Sequence, residues 1–505
     1  MPGTGISTVY LKIDFWNDYS FVTMFYLSVH DENGAYHEIE NVKIGFKGQT
    51  TATSTHSTFQ EVFQQLPDNY FSLGSLDYYQ GLSDKLSDET KKAILVGLRD
   101  VVYASEIFEI AKNEEVFGTS LMRSTSLSAI NGQFKRVLEG RPPLTDFKFI
   151  YKRPQEERFA GIELEFEVKA GSKPSSNIHT LIGRNGIGKT KLLNGMTDAV
   201  TNRENSPGKF HENNIFGDAP IGADFFSRLV SVSFSAFDPF TPPPEQTNPA
   251  LGTCYYYVGL NKLDEKEVDP QTPRQVQIRE KLNKEFCSTL MLCLSDNGRK
   301  QRWLRAVELL GSDENFRAMQ LPDLANRTRE ELPDISYRKI KLMSSGHAVV
   351  LLIITNLVAL VEEKTLVLLD EPEGHLHPPL LSAFIRALSE LLYDRNGVAI
   401  IATHSPVVLQ EVPMSCVWKV TRSRLAMSKC RPDIQTFGEN VGTLTREVFG
   451  LEVSKSGFHS LLEESVAKGG TFDEISAEYN HQLGYEAQAI LRAMIHDRDQ
   501  DEAQQ

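Results

Sequence analysis

Cysteine is scarce in this chain, and the few cysteines are not spaced as a motif. Only 5 of the 505 residues are cysteine, and no two of them form a C-x-x-C pattern. An odd and widely spread set argues against a disulfide framework and against a four-cysteine zinc site. These absences favour a reducing compartment.

Long apolar segments are also lacking. The longest apolar run, from Ala348 to Val361, is interrupted by Thr355 and Asn356, and it is shorter than the ~20 residues that a membrane-spanning helix needs. The first residues do not show the basic and apolar segments of a secretory signal. We therefore expect a cytoplasmic protein with no membrane partner.

Positive charge is in deficit, since 53 Lys and Arg residues face 67 Asp and Glu residues, for a formal net charge of −14. A chain this acidic is not a general nucleic-acid coat, although a local basic groove stays open. At about 150 residues per domain, the length predicts two to four domains.

Three regions follow from the pattern along the chain. Alternating stretches and then helical spacing predict a mixed α/β domain over residues 1–145, ending near two consecutive prolines. Strands that alternate with helices over residues 146–435 predict a largely parallel sheet, with a helical insertion at about 250–340. Residues 436–505 are predicted to form a helical extension.

A glycine-rich loop with the spacing G-x-x-x-x-G-K-T lies between an apolar strand and a helix start. Such loops curl so that backbone N–H groups point at phosphate oxygens, and the helix start adds a partial positive charge. The pattern predicts ATP and Mg²⁺ as cofactors, with Lys189 on the β- and γ-phosphates and Thr190 on the metal. The candidate nucleotide-binding residues of the loop are Gly183, Asn185, Gly186, Ile187, Gly188, Lys189 and Thr190.

Two carboxylates follow a second apolar strand, TLVLLDE. Because parallel sheets bind ligands at the carboxyl ends of their strands, Asp370 is predicted to hold Mg²⁺ together with Thr190. Glu371 is predicted to polarise the attacking water. His404 ends a further apolar strand and is predicted to contact the γ-phosphate and that water, which makes Glu371 and His404 the candidate catalytic residues.

The segment from Met343 to His347 stands directly before the apolar helix that starts at Ala348. Its Ser-Ser-Gly sequence is predicted to cap that helix, with free N–H groups and a hydroxyl facing outward. In isolation the segment would be interpreted as a cap and nothing more. Its order and spacing relative to the glycine loop, the carboxylates and His404 nevertheless match a known set.

With these four elements in order, the chain resembles the ABC-type ATPase family, near its SMC-like and overcoming-lysogenization-defect (OLD) branches. The resemblance implies a P-loop ATPase head: a mostly parallel sheet, an antiparallel β subdomain and a helical insertion, here preceded by a smaller α/β domain. The matched elements are Walker A at 183–190, a degenerate signature at 343–347, Walker B at 366–371, the D-loop region at 373–378 and the switch histidine His404.

In that family the signature loop completes the nucleotide site of another subunit. The resemblance therefore implies that Ser344, Ser345 and Gly346 contact a neighbour's ATP, in a homodimer or higher even-numbered oligomer. ATP would close this assembly and hydrolysis would open it. Ser345 and His347 depart from the family signature, where a glycine and a glutamine stand. Gln246 and Tyr151 are candidates for the Q-loop glutamine and the adenine-stacking aromatic.

The region after Thr436 and the amino-terminal region also resemble PtuA-type ATPases of Septu and retron-associated antiphage defence systems. This finer resemblance implies a regulatory or sensor subunit that works with an HNH-type, PtuB-like nuclease. In the retron variant it also implies a reverse transcriptase with its msDNA, an RNA–DNA hybrid.

Two other functions stay open. One is a stand-alone, SMC-like DNA repair ATPase, and the other is a nucleic-acid-binding scaffold in which ATP is structural. A basic cluster around a tryptophan would suit nucleic acid, because cations clamp the backbone while the ring stacks a base, although a solvated helix face explains it equally simply. The cluster consists of Arg299, Lys300, Arg302, Trp303 and Arg305.

Overall fold

The fold was analysed on a computed structural model of the chain. The structure describes residues 4–15, 20–125, 127, 129–140, 144–156, 161–214, 217–223, 225–233, 241–248, 252–259, 274–423, 426–454 and 457–504. The boundary predicted at the two consecutive prolines, residues 142 and 143, lies outside these described residues.

The amino-terminal region contains an antiparallel sheet of four strands that pair in chain order. The strands are Thr8–Ile13 (β1), Met24–His30 (β2), Tyr36–Phe46 (β3) and Tyr70–Gly74 (β4). The helices of the region are Leu76–Lys85 (α1), Asp88–Gly97 (α2), Ser105–Ala111 (α3), Glu115–Thr119 (α4) and Lys135–Leu138 (α5), with 3₁₀ turns at Thr55–Ser57 and Leu121–Ser124 and a π-helix at Ala129–Phe134. These elements share one apolar core of their own.

Eleven further strands follow among the described residues. In chain order they are Phe147–Arg153 (β5), Ile162–Val168 (β6), Ile178–Ile182 (β7), Lys209–Asn214 (β8), Gly217–Pro220 (β9), Arg228–Ser233 (β10), Cys254–Gly259 (β11), Thr365–Asp370 (β12), Val398–Thr403 (β13), Val417–Ser423 (β14) and Ala426–Cys430 (β15). Two sheets result. An antiparallel sheet has the order β6-β5-β8-β9, and a seven-stranded sheet has the order β11-β10-β12-β13-β7-β14-β15.

The helices of this part are, in chain order, Lys189–Thr201 (α6), Arg274–Leu294 (α7), Asn297–Leu310 (α8), Glu314–Ala318 (α9), Leu332–Lys341 (α10), Ser345–Leu360 (α11), Pro378–Arg395 (α12) and Pro406–Leu409 (α13). Short 3₁₀ turns lie at Leu321–Asn326, Pro372–His375 and Met414–Cys416. The last helices are Val441–Ser454 (α14), Phe458–Ala467 (α15), Phe472–Glu478 (α16) and Tyr485–Gln504 (α17).

The large sheet explains why the candidate site residues meet. Neighbouring strands from β11 to β14 are parallel, and only β14 and β15 pair antiparallel. Strands β7, β10 and β13 are buried at every position, as the inner strands of a covered parallel sheet are, although β7 and β10 also carry polar residues. In register, Asp370 pairs with Ala402 and Thr403 pairs with Ile182. The segments after β7, β12 and β13 therefore leave the sheet at the same edge.

The predicted fold class is confirmed: the chain is an α/β protein with a mostly parallel sheet, an antiparallel sheet beside it and a smaller α/β region ahead of them. One boundary was wrong. The strand β11 lies inside the range 250–340 predicted as helical, so the described helices of that segment start only at Arg274. Across the described ranges, none of the helices combines the length and apolarity needed to cross a membrane.

Candidate functional site

The glycine loop joins β7 to α6, and the structure explains why three of its positions are glycine. Gly186 and Gly188 have φ angles of +79° and +102°, a conformation that side chains disfavour. A Cβ atom on Gly183 would lie 2.3 Å from the carbonyl oxygen of Val420. Ile187 is buried in the core, whereas Asn185 is exposed at the outer turn of the loop. The loop thus presents backbone at the start of α6, where a phosphate is favoured.

Lys189, the first residue of α6, lies back across this loop. Its Nζ donates to the carbonyl oxygens of Gly183 at 2.9 Å and of Arg184 at 3.1 Å. Burial lowers the pKa of Lys189, and the carboxylates of Glu371, Glu373 and Asp370 oppose that shift. The geometry places an ammonium group at the centre of the glycine loop.

Glu371 directly follows β12 and adopts a left-handed conformation, with φ 45° and ψ 59°. A non-glycine residue in this region costs on the order of 1–3 kcal/mol, and such strain concentrates at functional sites. The N–H group of Glu371 donates to the carbonyl oxygen of Ala402 at 2.9 Å, which ties the bend to β13. The bend brings Oε1 to 3.8 Å from Nζ of Lys189 and 3.7 Å from Nδ1 of His404.

Glu373 has a defined role that sequence reasoning missed. Its Oε1 accepts hydrogen bonds from the Thr403 hydroxyl at 2.5 Å and from the N–H groups of His404 and Ser405 at 2.7 Å and 3.1 Å. The same oxygen lies 3.2 Å from Nδ1 of His404. Glu373 therefore holds the segment after β13 and orients His404. A second acidic residue two positions after Glu371 was the available signal.

Thr190 and Asp370 supply a hydroxyl and a carboxylate, the hard oxygen donors that Mg²⁺ prefers. Both are partly exposed, Thr190 in the first turn of α6 and Asp370 at the end of β12. Over the ranges that the structure describes, no group of three or more His, Cys, Asp or Glu residues forms a complete metal cluster. The donor set fits a magnesium ion that takes its remaining ligands from phosphate and water.

The signature segment caps α11, but the helix starts at Ser345 and not at Ala348 as predicted, so Ser344 alone is the cap residue. Ser344 precedes α11 and its hydroxyl accepts the N–H of His347 at 3.5 Å, while Ser344 and Ser345 are exposed and Gly346 is buried. Within the described part of the chain, every hydrogen bond recorded for the Ser344 side chain goes to His347 and none to the glycine loop.

A second feature that the sequence did not reveal lies beside this cap. Asp313 accepts hydrogen bonds from the N–H groups of Asn315 and Phe316, and its two carboxylate oxygens lie 3.1 Å and 3.2 Å from Nε2 of His347 and of His377. Asp313 thus joins the signature segment to the D-loop region. The sequence signal for this contact was His347, which stands where the ABC-type signature has glutamine.

The predicted nucleic-acid cluster is wrong. Trp303 is fully buried, with a relative exposure of 0%, and its Nε1 donates to the Thr355 hydroxyl at 3.0 Å, so its ring cannot stack on a base. Arg299 and Arg302 are also buried, which excludes a fully solvated helix face as well. Only Arg305 of the five residues is classed as exposed.

Tyr151 is likewise excluded as an adenine platform, because it is buried in the core beneath α6. Gln246 forms a backbone bridge with Tyr255 of β11, at 2.8 Å and 3.1 Å. Its side chain donates to the carbonyl oxygen of Thr253 at 3.3 Å.

The chain is similar to a known family model and to several solved structures. Residues 262–410 match the family model described as "AAA domain, putative AbiEii toxin, Type IV TA system". An ATP-binding cassette of an ABC transporter in its ADP conformation is 14% identical, with 61% of this chain and 98% of that chain covered and a TM-score of 0.31. The SMC head domain from Thermotoga maritima is 10% identical, with 57% and 98% covered and a TM-score of 0.30.

One relative matches over its whole length. Protein ea59 of Escherichia phage lambda is 50% identical over 523 residues, which cover 100% of this chain and 98% of that protein. This chain belongs to the protein ea59 family.

Proposed function

We propose that the chain hydrolyses ATP and uses the hydrolysis cycle as a switch. The observation that carries the proposal is that Lys189, Glu371 and His404 meet at the edge of the sheet. Oε1 of Glu371 lies 3.8 Å from Nζ of Lys189 and 3.7 Å from Nδ1 of His404. A cation for phosphate, a carboxylate for water and a histidine within reach of both are the parts that phosphoryl transfer to water needs.

In this mechanism each group has one task. The backbone N–H groups of 183–190 and the Lys189 ammonium bind the β- and γ-phosphates. Thr190 and Asp370 would hold Mg²⁺, which neutralises phosphate charge when bound. Glu371 orients the attacking water and accepts its proton, and His404, held by Glu373, donates a hydrogen bond to the γ-phosphate.

The signature residues Ser344 to Gly346 would complete the site of a neighbouring copy, so that ATP is enclosed between two chains. Support comes from the exposed hydroxyl of Ser344 and the N–H groups at the start of α11, a helix end that favours an anion. The assembly would be a homodimer or a higher even-numbered oligomer.

Replacement of Lys189 tests the nucleotide site directly. Lys189→Ala should weaken ATP binding by more than about 100-fold, because a buried charge that contacts phosphate is lost. Equilibrium binding of labelled ATP measures the effect, with Lys191→Ala in the same helix as the control. Near-native affinity of the Lys189→Ala protein would refute the site.

At a finer level, we propose that this ATPase is the regulatory or sensor subunit of an antiphage defence complex with an HNH-type nuclease, as in PtuA-type systems. Its sequence likeness to those ATPases supports the proposal, and so does the toxin–antitoxin wording of the matching family description. The complex would reside in the cytoplasm, and a retron variant would add a reverse transcriptase with its msDNA.

Native mass spectrometry of the protein purified with its neighbouring gene products tests the partner. Co-purification of an HNH-type nuclease would support the defence complex, and a bound RNA–DNA hybrid would select the retron variant. An ATP-dependent homodimer without a partner would instead favour the stand-alone, SMC-like repair ATPase.

A further inference from the structure

The hydroxyl of Ser344 starts a chain of polar contacts, in which the first two are hydrogen bonds and the third is an ion-pair contact. Its Oγ lies 2.6 Å from Nδ1 of His347, and Nε2 of the same ring lies 3.1 Å from Oδ1 of Asp313. The other carboxylate oxygen of Asp313 lies 3.2 Å from Nε2 of His377. The chain therefore runs from the signature segment, through the helical insertion, to the residue before α12.

The buried middle of this chain fixes the proton positions. The Asp313 side chain is only 5% exposed, and it accepts two backbone N–H groups besides the hydrogen bond from the His347 ring. Burial raises the pKa of Asp313, but the hydrogen bond from His347 and the backbone donors outweigh it and hold that pKa below its ordinary value. The carboxylate is thus an acceptor, and Nε2 of His347 must carry a proton.

The protonation of Nδ1 then decides what Ser344 can do. In neutral His347, Nδ1 is an acceptor, so the Ser344 hydroxyl must donate its proton to the ring and can only accept from elsewhere. In the imidazolium form, Nδ1–H donates to the Ser344 oxygen instead. The hydroxyl proton is then released and can be donated outward, beside a new positive charge.

We propose that His347 is a positioning residue that turns the Ser344 hydroxyl toward the γ-phosphate of the neighbouring copy only when the imidazole is protonated. The inference rests on the proposed function, because it assumes that the signature segment meets a neighbour's ATP. It predicts that ATP-driven association strengthens as the pH falls through the histidine range.

The surroundings of His347 are consistent with a proton exchanged with solvent. Among the described residues, the titratable groups that face the ring are Asp313, from the start of α9, and His377, whose ring centroid lies 6.2 Å away. The Phe316 ring covers one side at a centroid distance of 5.1 Å. Half of the His377 side chain is exposed, and Ser344 is exposed. The chain is therefore open to solvent at both ends.

The experiment compares dimer affinity with ATP and Mg²⁺ in a Glu371→Gln background, so that hydrolysis does not intervene. Sedimentation measures the dimer dissociation constant between about pH 6 and about pH 8, a range that brackets the ordinary histidine pKa. We expect association to be about tenfold tighter at the acidic end, as for one hydrogen bond to a charged group. The nucleotide's own titration is common to all variants and cancels in the comparison.

His347→Gln introduces the glutamine of the ABC-type signature, which cannot titrate. The dimer affinity of this variant should therefore be the same at both pH values. Asp313→Asn removes the carboxylate that holds Nε2 of the His347 ring at 3.1 Å, so the ring should lose its fixed orientation and the change should become smaller. His37→Gln is the control, because His37 and Asp31 form a comparable pair at 2.9 Å in the amino-terminal sheet. It should keep the full pH response.

Each failure has a distinct meaning. Dimers of equal affinity at both pH values, or a His347→Gln protein that keeps the tenfold change, would overturn the role of His347 and leave the ATP-enclosed dimer intact. If the Glu371→Gln protein binds ATP but does not associate at any pH, the neighbour's contribution itself is wrong, and this inference falls with it. If His347→Gln does not fold, an Asp313→Asn protein that keeps the full tenfold change overturns the role.

Discussion

Two of the places where charged side chains meet in this molecule are built in opposite ways. Between the amino-terminal region and the helices of the head, charges pair closely: Asp77 lies 3.2 Å from Arg302 and 3.3 Å from Arg395. Arg136 and Glu363 form a second ion pair there. At the edge of the large sheet, Lys189 and Glu371 stay 3.8 Å apart, and backbone groups rather than counter-ions hold them.

The difference separates structural charges from chemical ones. A charge that is satisfied by a partner of its own chain can fix two elements against each other, whereas it offers little to a ligand. A charge that is positioned by backbone carbonyls, or by a strained bend such as that of Glu371, keeps its capacity for a new partner. Each of the following substitutions removes a charge from one of the two places. The measurements then ask whether the property assigned to the other place changes as well.

The largest effect is expected at Glu371. Glu371→Gln keeps the size of the side chain but cannot accept a proton, so ATP turnover should fall by about 10²–10⁴-fold. ATP binding should be retained and closed dimers should accumulate, because the cations of the site are unchanged. Phosphate release measures turnover and light scattering measures the dimer. Hydrolysis at the native rate would show that the strained carboxylate is not the general base.

A smaller effect, of another kind, is expected at the interface between the regions. Asp77→Asn removes the carboxylate that pairs with the buried Arg302 and leaves the buried Arg395 with Asp394 alone. It should lower the free energy of unfolding by about 2–4 kcal/mol, reduced because Asp77 is partly exposed. ATP affinity of the folded protein should not change. Denaturant unfolding measures the loss. Asp88→Asn is the control, since Asp88 is exposed and its surface ion pair with Lys91 should contribute little to stability.

If Asp77→Asn instead weakened ATP binding without destabilising the protein, the two places would be coupled. The distinction between structural and chemical charges would then be wrong for this chain.

The residues of the nucleotide site could be predicted from the sequence, whereas the ion pairs between the two regions could not. The glycine loop, Asp370, Glu371 and His404 each end or follow an apolar strand, and parallel strands place such residues at one edge. That local pattern was sufficient to bring them together. The contacts between Arg302 and Asp77 join residues 225 positions apart, and no local pattern encodes such a pairing.

The basic cluster shows a signal that was present but misinterpreted. Arg299, Arg302 and Trp303 stand at spacings of three and four, which put them on one face of α8. Charge alone suggested a surface, whereas the periodicity indicated a buried face. Asp313 and Glu373 left weaker signals, because their partners come from other elements and their roles depend on tertiary packing.

The smallest effect is expected at Glu373, which stands on the boundary between the two kinds of charge. It is paired within the chain, as a structural charge is, but its partner is the segment that carries His404.

Glu373→Gln keeps an oxygen for the Thr403 hydroxyl and the two N–H groups, and loses only the negative charge 3.2 Å from Nδ1 of His404. The rate constant for ATP hydrolysis should fall about tenfold with the KM for ATP nearly unchanged, because the three hydrogen bonds that hold the His404 segment lose their charged acceptor and weaken. If Glu373 acts through His404, the double variant with His404→Ala should be no slower than His404→Ala alone. Additive losses in steady-state kinetics would instead assign Glu373 an action on the nucleotide site that does not pass through His404.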